Sequence, residues 1–181
     1  MQEIDDLTLE KAARGDRRAF KSLYDLYAPF LWKVLFPISG RDMTTARELL
    51  QDTFVKVYES LRQFKGESAL STWLYRIAYT TAMAHARKRK NRFRFQPYDD
   101  TLGGNNRTDT YDDRQLARKV LDGLSTDERF LLIAREIDGI SFDDLSRITG
   151  QKSGALRTRL HRLKGSIRQS FPQEQLAAGG V

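Results

Sequence analysis

Arg157, Thr158, His161 and Arg162 are separated by one, three and one positions, a spacing that gathers them on one side of a helix, with Lys152 and Ser153 just ahead. Guanidinium groups pair with guanine edges or phosphates, and threonine and histidine reach either, so the chemistry in view is recognition of a polyanion. A second basic group is denser: six of the eight residues from Arg87 to Arg94 are Lys or Arg, and they follow an aromatic-rich stretch holding Trp73, Tyr75 and Tyr79. Phosphate neutralisation beside stacking rings suits single-stranded or opening DNA. Plain core packing is the competing use of these rings, and the stronger one for Trp73. Ahead of them, Gly66-Glu67-Ser68 is a loop of small polar groups able to wall a pocket for an unstacked base.

No catalytic set emerges. Asp42, Glu48 and Asp52 are the only carboxylates that invite a magnesium-dependent reading, and the i, i+4 spacing of Glu48 and Asp52 is that of an ordinary solvated helix face. The absence of cysteine removes disulfides, thiolate chemistry and the common zinc sites, and His85 and His161 are far apart in sequence. The expectation is a non-enzyme with no metal and no cofactor.

The elements that must position these residues read as helices. Residues 7–19 form a short polar pattern broken at Gly15-Asp16. From Phe20 to Leu35 apolar residues recur at helical spacing, with Pro29 as a kink or split and Pro37, Ser39 and Gly40 as the end. Thr45-Ala46-Arg47-Glu48 fits a capping box for a helix whose apolar stripe includes Leu49, Leu50, Phe54, Val57, Tyr58 and Leu61. Phe64 to Ala69 is a loop, and Ser71 is the expected cap of a long helix beginning at Thr72-Trp73. Residues 97–113, with paired Gly, paired Asn and no periodicity, read as a flexible acidic linker. Beyond it come a helix over 114–123, helices capped by Ser125 and Ser141, and a longer helix capped by Ser153 and ended near Pro172. Short helix, turn with Gly150, longer helix is a helix-turn-helix pattern, and Leu156, Leu160, Leu163 and Ile167 supply its buried stripe.

The expected architecture is therefore all-α, with small helical domains at 1–96 and 114–171, the acidic linker between them and a disordered tail at 172–181. Charge follows the same division: 18 Lys/Arg against 11 Asp/Glu in residues 1–97, 1 against 5 in 98–113, and 12 against 8 in 114–181. Two basic blocks around an acidic one point to two contacts with nucleic acid. No apolar run approaches the roughly 20 residues that span a bilayer, and the acidic N-terminus is no secretory signal. The expected location is cytoplasmic, without a membrane partner.

Taken together, AFKSLYDLYAPFLWKV, then ARELLQDTFVKVYESLRQFKGESALSTWLYRIA, then the basic run, the acidic linker and GALRTRLHRLK resemble a bacterial extracytoplasmic-function sigma factor of the sigma-70 class. The resemblance covers about residues 7–170 in unbroken order. It implies a sigma-2 and a sigma-4 domain that bind core RNA polymerase, through the β-prime clamp helices and the β flap, and direct it to promoter DNA. It implies polymerase docking by Arg47, Glu48, Leu50, Gln51, Asp52, Phe54 and Val55. Minus-10 recognition and opening would fall to Lys65, Gly66, Glu67, Ser68, Trp73, Arg76, Arg87, Lys88, Arg89 and Lys90. Minus-35 reading would fall to Lys152, Ser153, Arg157, Thr158, His161 and Arg162. The linker would run toward the RNA exit path. Competing readings are a helix-turn-helix regulator acting without polymerase and a partner-sequestering adaptor.

Two departures from the family pattern carry expectations of their own. The docking helix of such proteins typically opens Asp-Ala-Glu-Asp, whereas this chain has Thr45-Ala46-Arg47-Glu48, so a strongly acidic motif has become neutral. A phosphothreonine would restore about −1.5 to −2 of charge, and the resemblance implies such control, since some sigma factors of this type that lack the acids are regulated by threonine phosphorylation; the competing reading makes Thr45 a plain N-cap with the rest of the interface sufficient. Thr45, then Thr44, then Thr53 are the candidates, with a Ser/Thr kinase as partner; an anti-sigma factor is left open as a partner, without a sequence feature that indicates one. In the minus-35 reader, Lys152-Ser153-Gly154-Ala155-Leu156 stands where many relatives have Pro-x-Gly-Thr-Val, so the base preference is expected to differ.

Overall fold

A computed structural model describes residues 3–95 and 119–170; the expected linker at 97–113 and tail at 172–181 lie outside the described residues. Four helices form the N-terminal half: α1 (Asp6–Ala13), α2 (Arg17–Ile38), α3 (Met43–Ser60) and α4 (Leu70–Phe95), with a 3-10 turn at Leu61–Gln63. After a helical turn at 119–122 come α5 (Thr126–Leu132), which continues as a π-turn over Ile133–Ile137, α6 (Phe142–Thr149) and α7 (Ser153–Ser170). Every described regular element is helical.

Local chemistry explains most boundaries. Asp5 and Asp16 cap α1 and α2 by accepting backbone N–H bonds, Asp16 from Arg18 at 2.8 Å and Ala19 at 3.0 Å. Pro29 does not split α2, which is continuous through it. The proline is on the exposed side next to exposed residues, so the carbonyl it orphans can be solvated, while Leu23, Tyr27, Leu31, Val34 and Leu35 hold the other face in the core. Pro37 likewise sits inside the last turn. The helix stops where Gly40 and then Arg41 turn left-handed at φ 77° and 61°, and the Arg41 N–H reaches back to the Phe36 carbonyl at 3.1 Å.

Three expected caps move. Asp42, not Thr45, caps α3: its carboxylate accepts from the N–H of Thr44 at 3.3 Å and of Thr45 at 2.9 Å. An aspartate two residues ahead of the threonine pair takes the amides first, which leaves Thr45 inside the first turn. At α4 the helix starts at Leu70, with the Trp73 N–H on the Ala69 carbonyl at 3.1 Å, so Ser71 is a first-turn residue. At α7 the Leu156 N–H bonds the Lys152 carbonyl at 3.1 Å, which makes Ser153 the first helical residue. The other two stand as read. Ser125 and Glu128 form a reciprocal capping box, Ser141 caps α6 by accepting from the Asp144 N–H at 3.0 Å, and Gly150 ends α6 at φ 74°.

One apolar core runs through both halves. Its keystone is Phe130 of α5, fully buried, whose ring lies 5.9 Å from that of Tyr75 and 4.6 Å from that of Tyr79 on α4. The two phenols then reach past it: Tyr75 donates to the Asp138 carboxylate and Tyr79 to Asp127 at 2.8 Å. Phe130→Ala should cost about 3–5 kcal/mol and, because the ring is shared, resolve urea unfolding of the full chain into two transitions. A single unshifted transition would show that the halves are held together elsewhere.

Candidate nucleic-acid interface and docking groove

Helix α3 presents two different faces. Outward, it forms with α2 a groove of about 610 Å³ lined by Arg47, Leu50, Gln51, Phe54 and Val55, all expected docking residues, together with Phe20, Tyr24, Tyr58 and, at its far end, Glu59. The groove is aromatic by construction: Phe20 meets Tyr58 edge-on at 5.1 Å, and Tyr24 lies 4.5 Å from Phe54. Val55 and Tyr58 are about half exposed, at 49% and 50%, whereas Phe54 is buried at 4% and supports the floor. Glu48 and Asp52 are exposed but outside the lining. Tyr24 and Tyr58 escaped the sequence reading because their helical spacing fits core positions as well as it fits a groove.

The candidate threonines separate by face. Thr44 is exposed and shares the stripe of Arg47, Gln51 and Val55, at successive spacings of three, four and four residues. Thr45 is half-buried and, with Leu49, turns inward to a second cavity walled by His85, Arg89 and Lys90. Hydrogen bonds from the Thr45 side chain and backbone hold the Asp42 carboxyl below the usual carboxylate range. Thr53 is fully buried and donates its hydroxyl to the Leu49 carbonyl at 2.6 Å. A hydroxyl so enclosed does not fit a modification site, which corrects the expectation for Thr53; of the other two, Thr44 is the exposed one.

The loop ahead of α4 does wall a pocket. Gly66 turns left-handed at φ 73°, and Phe64, Gly66, Ser68 and Ser71 close with Tyr27 and the α1 segment around about 200 Å³. Lys65 and Glu67 are exposed and outside that lining. Trp73 is half-buried against Phe64, ring to ring at 5.3 Å. Arg76, Arg87, Lys88, Arg89 and Lys90 are exposed along α4. Tyr75 and Tyr79 are not stacking surfaces; both are buried in the joint with the C-terminal half.

In α7, Leu156, Leu160 and Leu163 are buried, which leaves Lys152, Arg157, Thr158, His161 and Arg162 exposed together. The Arg157 guanidinium packs 5.2 Å from the Phe142 ring, and the Thr158 hydroxyl donates to the Gly154 carbonyl at 3.1 Å. Ser153 is half-buried. Two further cations of this helix are paired, Arg159 with Asp127 and Lys164 with Glu136 at 2.7 Å, and Arg168 in the last turn is exposed. Arg159 flanks the leucine stripe, three residues after Leu156 and four before Leu163, and finds its partner 32 residues away. Among the described residues no group of three His, Asp or Glu could hold a metal ion, and no helix is long and apolar enough to cross a membrane.

Comparison with known proteins agrees with this geometry. Sigma-70 region 2 matches residues 23–92. The chain is 29% identical to the RNA polymerase sigma-H factor of Pseudomonas aeruginosa, over 92% of this chain and 93% of that protein. It is also 29% identical to the ECF RNA polymerase sigma-E factor of Haemophilus influenzae, over 92% and 94%. Among solved structures it is similar to the sigma factor RpoE of Bartonella quintana in complex with the anti-sigma factor NepR, with TM-score 0.67, 25% identity and coverage of 83% and 94%. CnrH in complex with the cytosolic domain of CnrY shares the fold, with TM-score 0.62 at 20% identity over 90% and 94%.

The buried phenols give the joint a pH signature. Burial first, and the Asp127 carboxylate second, push the Tyr79 hydroxyl from 10.0 up to about 12. The folded state thus holds this proton more tightly than the unfolded chain. The associated stability is whole below pH 10 and is lost as the pH climbs through about 12. Tyr79→Phe should make the alkaline loss of stability shallower by about one proton across that window; parallel curves for the two proteins would place the phenol in water.

Proposed function

We propose how this chain, which belongs to the extracytoplasmic-function sigma factors of the sigma-70 class, divides its work among its parts. It directs transcription with RNA polymerase at promoter DNA and is not an enzyme. The alternatives of a regulator independent of polymerase and of a sequestering adaptor give way to that membership. Residues 1–96 act as sigma-2 and residues 114–171 as sigma-4. The α2–α3 groove docks core polymerase, with the clamp helices of the β-prime subunit as its counterpart. The Phe64–Ser71 pocket takes an unstacked minus-10 base while Arg87, Lys88, Arg89 and Lys90 neutralise the backbone. Lys152, Arg157, Thr158, His161 and Arg162 read the minus-35 element, and the β flap receives the same domain.

The observation that carries the regulatory part is the composition of the groove rim. Its apolar floor is complete, but Arg47 lines the rim where the family pattern has an acid. Exposed Thr44 occupies the same stripe, so a phosphate there adds about −1.5 to −2 of charge beside Arg47 and offsets it. A Ser/Thr kinase acting on Thr44 is therefore the switch from weak to strong docking. The dipole of α3 adds a favourable field, but its first amides are already held by Asp42 and supply no extra bonds.

Measured against core polymerase, Thr44→Glu should tighten binding severalfold, in line with ~0.3–1 kcal/mol for one added charge near a helix N-terminus. Thr45→Glu, facing inward, should leave it within about twofold. Equal binding by wild type, both variants and chain phosphorylated on Thr44 would sink the charge argument.

At the other end, Arg162→Ala should weaken binding of the polymerase holoenzyme to minus-35 DNA by ~1–3 kcal/mol if the contact is to a base. If it is to phosphate, the loss should be uniform across sequences, with the salt slope lower by about one. An unchanged affinity and slope would remove Arg162 from the interface.

A further inference from the structure

We propose, on the reading that the outer face of α7 binds minus-35 DNA, that Phe142 of α6 is a positioning residue for that contact, its ring holding the Arg157 guanidinium ready before DNA arrives. Phe142 opens α6 directly after its cap Ser141, and it is half-buried against the core, so the ring is a fixed surface. Two guanidinium groups lie over it: Arg135, from the π-turn, at 4.7 Å from the ring centroid, and Arg157, from α7, at 5.2 Å. Both are within the ~6 Å at which the negative face of a ring attracts a cation. Arg135 has a second anchor, since its Nη1 donates to the Ile140 carbonyl at 2.9 Å. Arg157 is exposed, and among the described residues no ion pair competes with the ring for it.

The carboxylates nearest in sequence leave Arg157 to the ring. Asp144 accepts from the Ser141 hydroxyl at 2.7 Å and pairs with Arg147 at 3.2 Å, and Asp143 is exposed with no ion pair to Arg157. The kind of partner matters for what the arginine can still do. A stacked guanidinium uses its flat face, while its N–H donors lie in the plane and point away from the ring. The fork therefore stays open to a guanine edge or to phosphate oxygens. Arg159, two residues on, is the opposite case: its Nη1 is engaged by Asp127.

An arginine has much rotamer freedom to lose when it is fixed on a ligand. Holding it on a ring transfers part of that loss from binding to folding, which tightens the complex without adding a contact to DNA. The preference of α7 thus depends on a side chain that belongs to another helix. Replacing Phe142 changes no charge, so long-range attraction to DNA is untouched and only the placement of Arg157 responds.

The test uses the full chain assembled with core polymerase and, as probe, a duplex that the wild-type holoenzyme selects from a pool randomised across the minus-35 positions. Phe142→Leu, which keeps an apolar side chain and removes the π face, should weaken binding about two- to fivefold, the factor that matches an exposed cation-π contact. Phe142→Tyr, which keeps the face, should bind as wild type does. The loss should fall on the same base positions as that of Arg157→Ala, and in an Arg157→Ala background Phe142→Leu should add nothing. In the free full chain, the Arg157 Nε–H resonance should carry a ring-current shift that Phe142→Leu removes, a readout that needs no DNA. Circular dichroism of each variant establishes that it is folded. Equal losses from Phe142→Leu in both backgrounds, no loss in either, or a wild-type resonance without the shift overturn the positioning role, while a loss with Arg157→Ala keeps α7 at the DNA. Binding unmoved by Arg157→Ala takes that arginine out of the interface and the positioning role with it. Binding unmoved by both Arg157→Ala and Arg162→Ala overturns the reading of α7 itself.

Discussion

Phe130 occupies the position on which the arrangement of this protein depends, because its ring fills the space between two tyrosines of α4 and so makes one core out of two helical halves. An apolar ring alone would leave both phenols buried and unsatisfied. Asp127 and Asp138, placed either side of Phe130 along the chain, accept those two hydroxyl protons. The contact is thus apolar in the middle and polar at both ends, which fixes orientation as well as proximity. Burial and these carboxylates raise the proton affinity of both tyrosines, so the joint is built from neutral phenols.

Once α4 is held in that way, the rest of the chain is sorted by which side of the joint it faces. Asp127 also pairs with Arg159, so the same carboxylate that receives Tyr79 anchors α7. The cations of α7 divide accordingly: Arg159 and Lys164 are paired with the carboxylates of Asp127 and Glu136, while Arg157, Arg162 and Arg168 stay exposed. The same sorting operates on α3, where Phe54 and Val57 bind the helix to the core, Val55 and Tyr58 stay open on the groove, and Thr45 is drawn inward.

The sigma-factor assignment and the closed packing describe two sides of one molecule. The α2–α3 groove, the α4 cations and the outer face of α7 are all at the surface even while the halves are packed. The surface that the joint consumes is the tyrosine face of α4.

Much of this was written in local sequence. The helices, the Ser125 and Ser141 caps, the left-handed turn at Gly150 and the leucine stripe of α7 all arise from relations within about four residues, and a pattern that short is visible without the fold. So was the resemblance to the sigma-factor family, since several such patterns occur in one order along the chain. Caps failed where two local candidates competed, as when Asp42 took the amides assigned to Thr45. What only the tertiary structure decided is which of several chemically equal side chains is used for what: Tyr75 and Tyr79 inside the joint, Arg159 in a pair, Thr44 outward and Thr45 inward. Those choices are made by partners 63, 48 and 32 residues away and by the packing of α3 against α4, and no local period encodes a partner at that distance.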